Sequence, residues 1–245
     1  MNIFKNIFAR ILAFWAILVF VTTMLIVVIP IWMTKYIKEP RGTEVFRRIS
    51  KVWMSVFLFL IGCPVRVRGK ENFTSGENYI VVCNHNSMMD VPVATPFIPG
   101  PNKTIAKIEM ANIPLFGIIY KRGSVLVDRK NEESRKASFN KMKEVLQMGL
   151  HMCIYPEGTR NKTREPLQRF HDGAFRLAVD TKKSILPSVI FHTGKILPNN
   201  KKFYLWPHII EIHFLPPIVV NGFSMQELKE KTFGLMSDYF LRNNK

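Results

Sequence analysis

The chain opens on an apolar stretch unlike anything that follows it. Residues 11–33 carry no charged side chain and consist mainly of Ile, Leu, Val, Phe and Trp. As a helix this stretch is roughly 35 Å long, enough to cross a hydrocarbon core. It is too long for the apolar part of a signal peptide, and no small-x-small cleavage site follows. The pattern therefore predicts an uncleaved membrane helix. A second apolar run, 52–61, is too short to span. It fits either the second arm of a helical hairpin dipping into one leaflet or a helix packed on a globular core. Pro30 and Pro40 are expected to help the chain turn between the two runs.

Beyond these runs the periodicity alternates. Short β-branched runs at 65–68, 79–83, 124–127, 152–155, 185–190 and 209–215 read as strands. Between them lie helical patterns. The clearest is 132–150, with Asn131 as N-cap, acids in the first turn, and Phe139, Met142 and Leu146 on one face. A shorter helix is predicted at 174–181. A last one is opened by the capping box Ser224-Met-Gln-Glu227, with Leu228, Leu235 and Phe240 at apolar spacing. Strands recurring between helices predict an α/β fold: a mixed, largely parallel central sheet flanked by helices, preceded by an N-terminal membrane-embedded helical segment. The division falls at 1–62 and 63–245.

Charge adds a partner to this picture. The formal net charge is +17, spread along the chain. Lys35, Lys38, Arg41, Arg47, Arg48 and Lys51 outnumber Glu39 and Glu44 between the two apolar runs. By the positive-inside rule this cluster and the domain after it lie on the cytoplasmic face of the membrane. A basic surface beside a membrane helix favours anionic lipid over nucleic acid, for which no zinc finger, aromatic RNA-binding signature or basic arm is present. Cys63, Cys83 and Cys153 lack metal-ligand spacing and read as buried, reduced thiols. No metal site is expected.

The candidate chemistry begins where the strand 79–83 ends, at Asn84-His85 with Asp90 five residues after the histidine. An imidazole at a strand end can accept a proton near neutral pH, and a nearby carboxylate can hold its tautomer. No serine or cysteine nucleophile motif accompanies them, so the natural target is a substrate hydroxyl. Quieter readings exist. The histidine can be a hydrogen-bonded structural residue, and Asp90 can belong to a capping box with Ser87 or be an N-cap itself. Asp128-Arg129 and Pro156-Glu157-Gly158-Thr159-Arg160 follow two other strands. If those strands are parallel, all three clusters meet at one carboxyl edge, where open α/β sheets bind ligands. Arginines far apart in sequence would then surround one imidazole.

Gly158 permits an unusual turn and close approach to a ligand, and Arg160 offers a planar fork to phosphate or carboxylate. Lys107 and Arg129 are further candidate phosphate ligands. Gly173 is expected to let the next helix start tightly against the cleft. His171 reads as a loop residue able to lean on a phosphate, while His151, His192, His208 and His213 read as structural. Each of these charges, taken alone, also fits a solvated surface residue.

As an ordered set the motifs are more specific. Asn84-His85 with Asp90, the Lys107/Glu109/Pro114/Gly117 block, Asp128-Arg129, Tyr155-Pro-Glu-Gly-Thr-Arg160 and Leu186-Pro187 resemble the glycerolipid acyltransferase family, most closely its lysophosphatidate acyltransferases. The resemblance runs from about Val65 to Pro217. It implies that His85, assisted by Asp90, removes the proton of the sn-2 hydroxyl of lysophosphatidate, which attacks an acyl thioester directly. The thioester would be carried by acyl carrier protein or coenzyme A, with no other cofactor. It further implies that Lys107 and Arg160, with Arg129 assisting, bind the phosphate, and that Glu157, Gly158 and Thr159 shape the glycerol end of the site. Two departures stand out: Tyr155 where phenylalanine is common, and His171 where many members have lysine. Other acceptors (glycerol 3-phosphate, a lysophospholipid, an acyl-amino-acid lipid) share these motifs, and a non-catalytic, basic, membrane-anchored lipid-binding protein would share the charge and the anchor.

Overall fold

The computed structural model describes residues 3–163 and 165–244. Seven strands form one sheet: β1 (Val65–Arg68), β2 (Ile80–Cys83), β3 (Asn102–Lys107), β4 (Ser124–Val127), β5 (His151–Ile154), β6 (Ile185–Phe191) and β7 (Ile210–Phe214). Their order across the sheet is β1-β7-β6-β2-β5-β3-β4. Neighbours are parallel except β6 and β7, so the sheet is mixed and largely parallel, as expected. In β2, β5 and β6 every residue is buried, including the polar His151 of β5 and Ser188 of β6.

One strand escaped the sequence reading. β3 places Asn102, Thr104 and Ala106 inward, only one of them apolar. The two polar side chains are tolerated there because both are hydrogen-bonded: Thr104 Oγ1 donates to the Cys153 carbonyl at 3.1 Å, and Asn102 Nδ2 donates to the carbonyls of Thr95 and Gly100. Two short helices were also not anticipated, α4 (Phe116–Gly123) and α7 (Thr193–Ile196), while α3 (Asp90–Ala94) begins where the capping readings of Asp90 put a helix start. The longer ones match more closely. α5 (Glu132–Gln147) is capped by Asn131, α6 spans Gly173–Thr181, and α8 (Met225–Asn243) opens with the Ser224–Glu227 capping box. A Cβ on Gly173 would meet nothing within 4 Å, so no tight helix start demands glycine there. On α8, Leu228 and Met236 face the core whereas Leu235 is exposed.

The N-terminal residues form α1 (Ile3–Met33), whose helix runs through Pro30 without turning. The chain turns afterwards, around Pro40, into α2 (Arg41–Leu60). The second apolar run is therefore the end of a longer amphipathic helix, and that helix is both the partner of α1 and part of the core. Trp53 Nε1 donates to Thr23 Oγ1 at 2.9 Å and Trp15 Nε1 to the Leu60 carbonyl at 3.0 Å, while Met54 and Leu58 are buried in the apolar cluster beneath the sheet. Arg122 of α4 locks the turn, donating to Thr34 Oγ1, Glu39 Oε1 and Thr43 Oγ1.

Cys63, Cys83 and Cys153 are buried free thiols. His151 is structural: its Nδ1 accepts the Tyr79 N–H at 3.0 Å, and its ring stacks on that of Tyr79. Burial pushes this imidazole down to about 4 from the ordinary 6.5. Between those values the unfolded chain binds a proton that the folded chain refuses, so stability is complete above pH 6.5 and falls as pH drops toward 4. Equilibrium unfolding of the detergent-solubilised protein should show this loss, on the order of 3 kcal/mol. In His151→Asn the pH slope over that window should shrink by about one proton.

Candidate active site

β2 delivers the central histidine. Its last partner on β6 is Ser188, paired with Cys83. Beyond that pair Asn84 takes over the ladder with its side chain: Oδ1 accepts the Ile190 N–H at 2.7 Å and Nδ2 donates to the Ile190 carbonyl at 3.0 Å. The chain then leaves the sheet at His85 with both backbone groups held by the loop after β5. The His85 N–H donates to Glu157 Oε1 at 2.7 Å, and its carbonyl accepts the Asn161 N–H at 2.6 Å.

The imidazole is held as firmly as the backbone. Nδ1 lies 2.8 Å from Asp90 Oδ2, and the Tyr155 ring packs against the histidine with centroids 4.8 Å apart. Asp90 is fully buried whereas the His85 side chain is 19% exposed, so the pair faces outward through the imidazole. Asp90 is the first residue of α3 rather than its N-cap, while the bond back to the Ser87 N–H that a capping box calls for is present. The carboxylate serves the whole turn before the helix: Oδ2 also accepts the N–H groups of Asn86 and Ser87 at 2.6 and 2.7 Å, and Oδ1 accepts Thr193 Oγ1. Four donors thus converge on one carboxylate, which has acceptor sites for all of them. It then accepts the imidazole Nδ1–H, which leaves the lone pair of the ring on Nε2.

The parallel strands do bring the three predicted clusters to one edge, with Lys107 at the end of β3 as a fourth. Glu157 is buried, and its second oxygen accepts the Gln168 N–H at 2.9 Å. Its carboxyl thus staples the loop to His85 and Gln168. Burial pushes it up to about 7, against the pull of those two N–H donors. Gly158 adopts φ +69, and a Cβ there would sit 2.8 Å from the His171 ring, so both the turn and the close approach require glycine. Thr159 is exposed and Arg160 half-buried on the same loop. The Arg129 guanidinium donates to the Gly158 carbonyl, tying the β4 and β5 loops together. Lys107 and Arg129 share a small cavity of about 80 Å³ with Glu109, Asp128 and Lys130. Among the described residues no group of three His, Cys, Asp or Glu side chains is arranged to hold a metal.

Asn161, Gln168, Thr193 and Asn199 support the site and were not singled out in the sequence. Asn199 Nδ2 donates to the carbonyls of Asn86 and Asn161, bridging two site loops. No local pattern marks these residues, because each acts on a partner distant in sequence or on a bare backbone group.

A histidine–aspartate pair on the carboxyl edge of this sheet defines an α/β enzyme class. A family model described as Acyltransferase matches residues 64–191, and the chain belongs to that family. The 1-acyl-sn-glycerol-3-phosphate acyltransferase of Cocos nucifera is 29% identical over 175 residues, covering 71% of this chain and 56% of the relative. The protein of the same name from Borreliella burgdorferi is 28% identical over 195 residues, covering 79% and 77%. The chain thus spans little more than half the length of the first relative. A crystal structure of the 1-acyl-sn-glycerophosphate acyltransferase of Thermotoga maritima superposes with a TM-score of 0.81 at 21% identity, covering 100% of this chain and 99% of the other, and so shares the fold.

Replacing Glu157 by glutamine tests the staple. An amide cannot accept both N–H groups with its single oxygen, so one buried donor is left unpaired. Glu157→Gln should unfold at a lower denaturant concentration, by about 1–3 kcal/mol. Its acyl-transfer rate should fall as His85 loses its backbone anchor. An unchanged unfolding midpoint would show that the staple carries no weight.

Proposed function

We propose that this protein transfers a fatty acyl group from an acyl thioester to the sn-2 hydroxyl of lysophosphatidate, giving phosphatidate. The observation that carries the reading is the His85–Asp90 pair, an imidazole whose Nδ1 lies 2.8 Å from a fully buried carboxylate while the side chain stays 19% exposed. Nε2 takes the proton of the hydroxyl as the oxygen attacks the thioester carbonyl. The tetrahedral intermediate expels the thiolate of acyl carrier protein or coenzyme A, and the imidazolium returns the proton to it. No acyl-enzyme forms in this reading, and Ser87, the serine of this turn, gives its hydroxyl to the Leu197 carbonyl rather than to His85. General-base help of this kind is worth about 10²–10⁴-fold. Positioning of the phosphate by Lys107 and Arg160, with Arg129 bracing the loop, contributes by fixing the attack geometry. The relatives named above support the acceptor.

The same reading assigns the protein to the membrane surface, with the catalytic domain on the cytoplasmic face. α1 is long and apolar enough to cross a bilayer, with a mean hydropathy of 2.8 in its most apolar window. Yet it touches the catalytic domain along its whole length. Lys5 lies over the Trp206 ring, the Leu205 N–H donates to the Ala9 carbonyl, Phe20 meets Phe116, and Thr34 meets Arg122. A helix held sideways in this way cannot stand across a bilayer apart from its domain. We infer that it lies within one leaflet, with Phe4, Phe8, Phe14, Leu18 and Ile26 facing lipid.

His85→Ala should abolish transfer to lysophosphatidate in purified membranes while the protein still folds and inserts. Arg160→Ala should raise KM for lysophosphatidate far more than for the acyl donor. Near-full activity of His85→Ala would sink the mechanism, and a dominant donor effect of Arg160→Ala would move the phosphate site elsewhere. For the topology, epitope tags at the two termini should be accessible from the same side of sealed vesicles. Tags on opposite sides would establish a crossing.

A further inference from the structure

Asp90 depends on a residue from the end of the neighbouring strand, far away in sequence. The three donors to its Oδ2 are local: the imidazole of His85 and the N–H groups of Asn86 and Ser87. Oδ1 instead accepts the hydroxyl of Thr193 at 2.5 Å, from 103 residues away in sequence. Thr193 is fully buried and opens α7, two residues beyond the segment 64–191 that matches the family. β6 ends at Phe191, and His192 follows in the left-handed conformation at φ +70. The His192 Nδ1 holds that turn on the Ile209 carbonyl at 3.0 Å. The turn aims Thr193 back into the carboxyl edge of the sheet.

The rest of this segment backs the same turn. Ser87 Oγ donates to the Leu197 carbonyl at 3.0 Å, and Asn199 Nδ2 donates to the Asn86 carbonyl at 2.8 Å. Residues 193–199 thus form a wall behind 86–90, and Thr193 is its contact with the ionised group. A carboxylate tethered through one oxygen can still swing about its Cβ–Cγ bond. Held through both, its plane is fixed, and so is the direction in which Oδ2 receives the imidazole N–H. That direction sets where Nε2 points.

We propose that Thr193 is a positioning residue for acyl transfer, its hydroxyl locking the Asp90 carboxylate and, through it, the His85 ring. This rests on the general-base role given to His85 above. Thr193→Val keeps the shape of the side chain and removes the hydroxyl. With lysophosphatidate and acyl-coenzyme A as substrates, kcat should fall about tenfold or more. KM for both substrates should change by less than about twofold, because Thr193 touches neither the cations nor the exposed edge. Thr193→Ser, which restores the hydroxyl, should recover most of the rate. In proton spectra of the solubilised protein, the low-field resonance of the His85 Nδ1–H should be present in wild type and Thr193→Ser and shifted or lost in Thr193→Val.

If Thr193→Val does not fold, Thr193→Ala against Thr193→Ser isolates the hydroxyl, since both lose the methyl group. The Ala variant should then show the tenfold deficit relative to Ser. Equal kcat within either pair, or a loss carried by KM, would overturn the proposal. His85→Ala in the same preparation separates the two ideas. If it is inactive while Thr193→Val is fully active, only the role of Thr193 falls. If His85→Ala is itself active, the general-base reading falls and takes the role of Thr193 with it.

Discussion

Burying a carboxylate is strongly unfavourable unless its oxygens find donors, and Asp90, fully buried, meets that requirement with four. Much of the site follows from this one constraint. The turn 85–90 must curl so that two of its own N–H groups point at Oδ2, which brings the imidazole alongside them. The segment after β6 must return to supply Thr193. The ionised carboxylate then fixes the tautomer of His85, so the group with the highest cost of burial is also the one that orients the base.

The loop after β5 does the complementary work on the backbone. Glu157 and Asn161 clamp the N–H and carbonyl of His85, Gly158 gives the loop its turn, and Arg129 ties in the neighbouring strand. Catalytic geometry is sensitive to small displacements, and a histidine on a free loop would waste most of its potential. Here each neighbouring strand end supplies a tether, which is what a parallel sheet provides: several loops arriving at one edge.

The helix pair answers a different physical demand. α1 turns Ala9, Ala13 and Ala16, followed by Val19, Met24, Val28 and Ile31, toward the protein, and places most of its other Phe and Ile side chains outward. Small residues on the packed face let the helix lie close along the domain, while the apolar outer face has no stable place in water. Together with a net charge of +17, this suits an anionic lipid surface, where apolar burial and Coulomb attraction add.

Much of this was legible in the residues. The β-branched run Ile80–Val82 marked β2, because a strand buried on both faces reads as a continuous apolar segment. The capping residues Asn131 and Ser224 marked helix starts, because a cap is a local interaction. The order of His85, Asp90, Glu157 and Arg160 pointed to the family and to one edge of a sheet. β3 was hidden, since its inward polar side chains are satisfied only by Cys153, Thr95 and Gly100 once the strands are paired. Ser87 was legible as a partner of Asp90 because it lies three residues away, whereas Thr193 was invisible because it meets Asp90 only in space, 103 residues on. By itself the sequence determined which groups are chemically able to act and the local elements that carry them, through periodicity and capping. Which oxygen meets which donor, how α1 lies, and where Nε2 points were decided only by the tertiary structure, because these depend on burial and on contacts between segments a hundred residues apart.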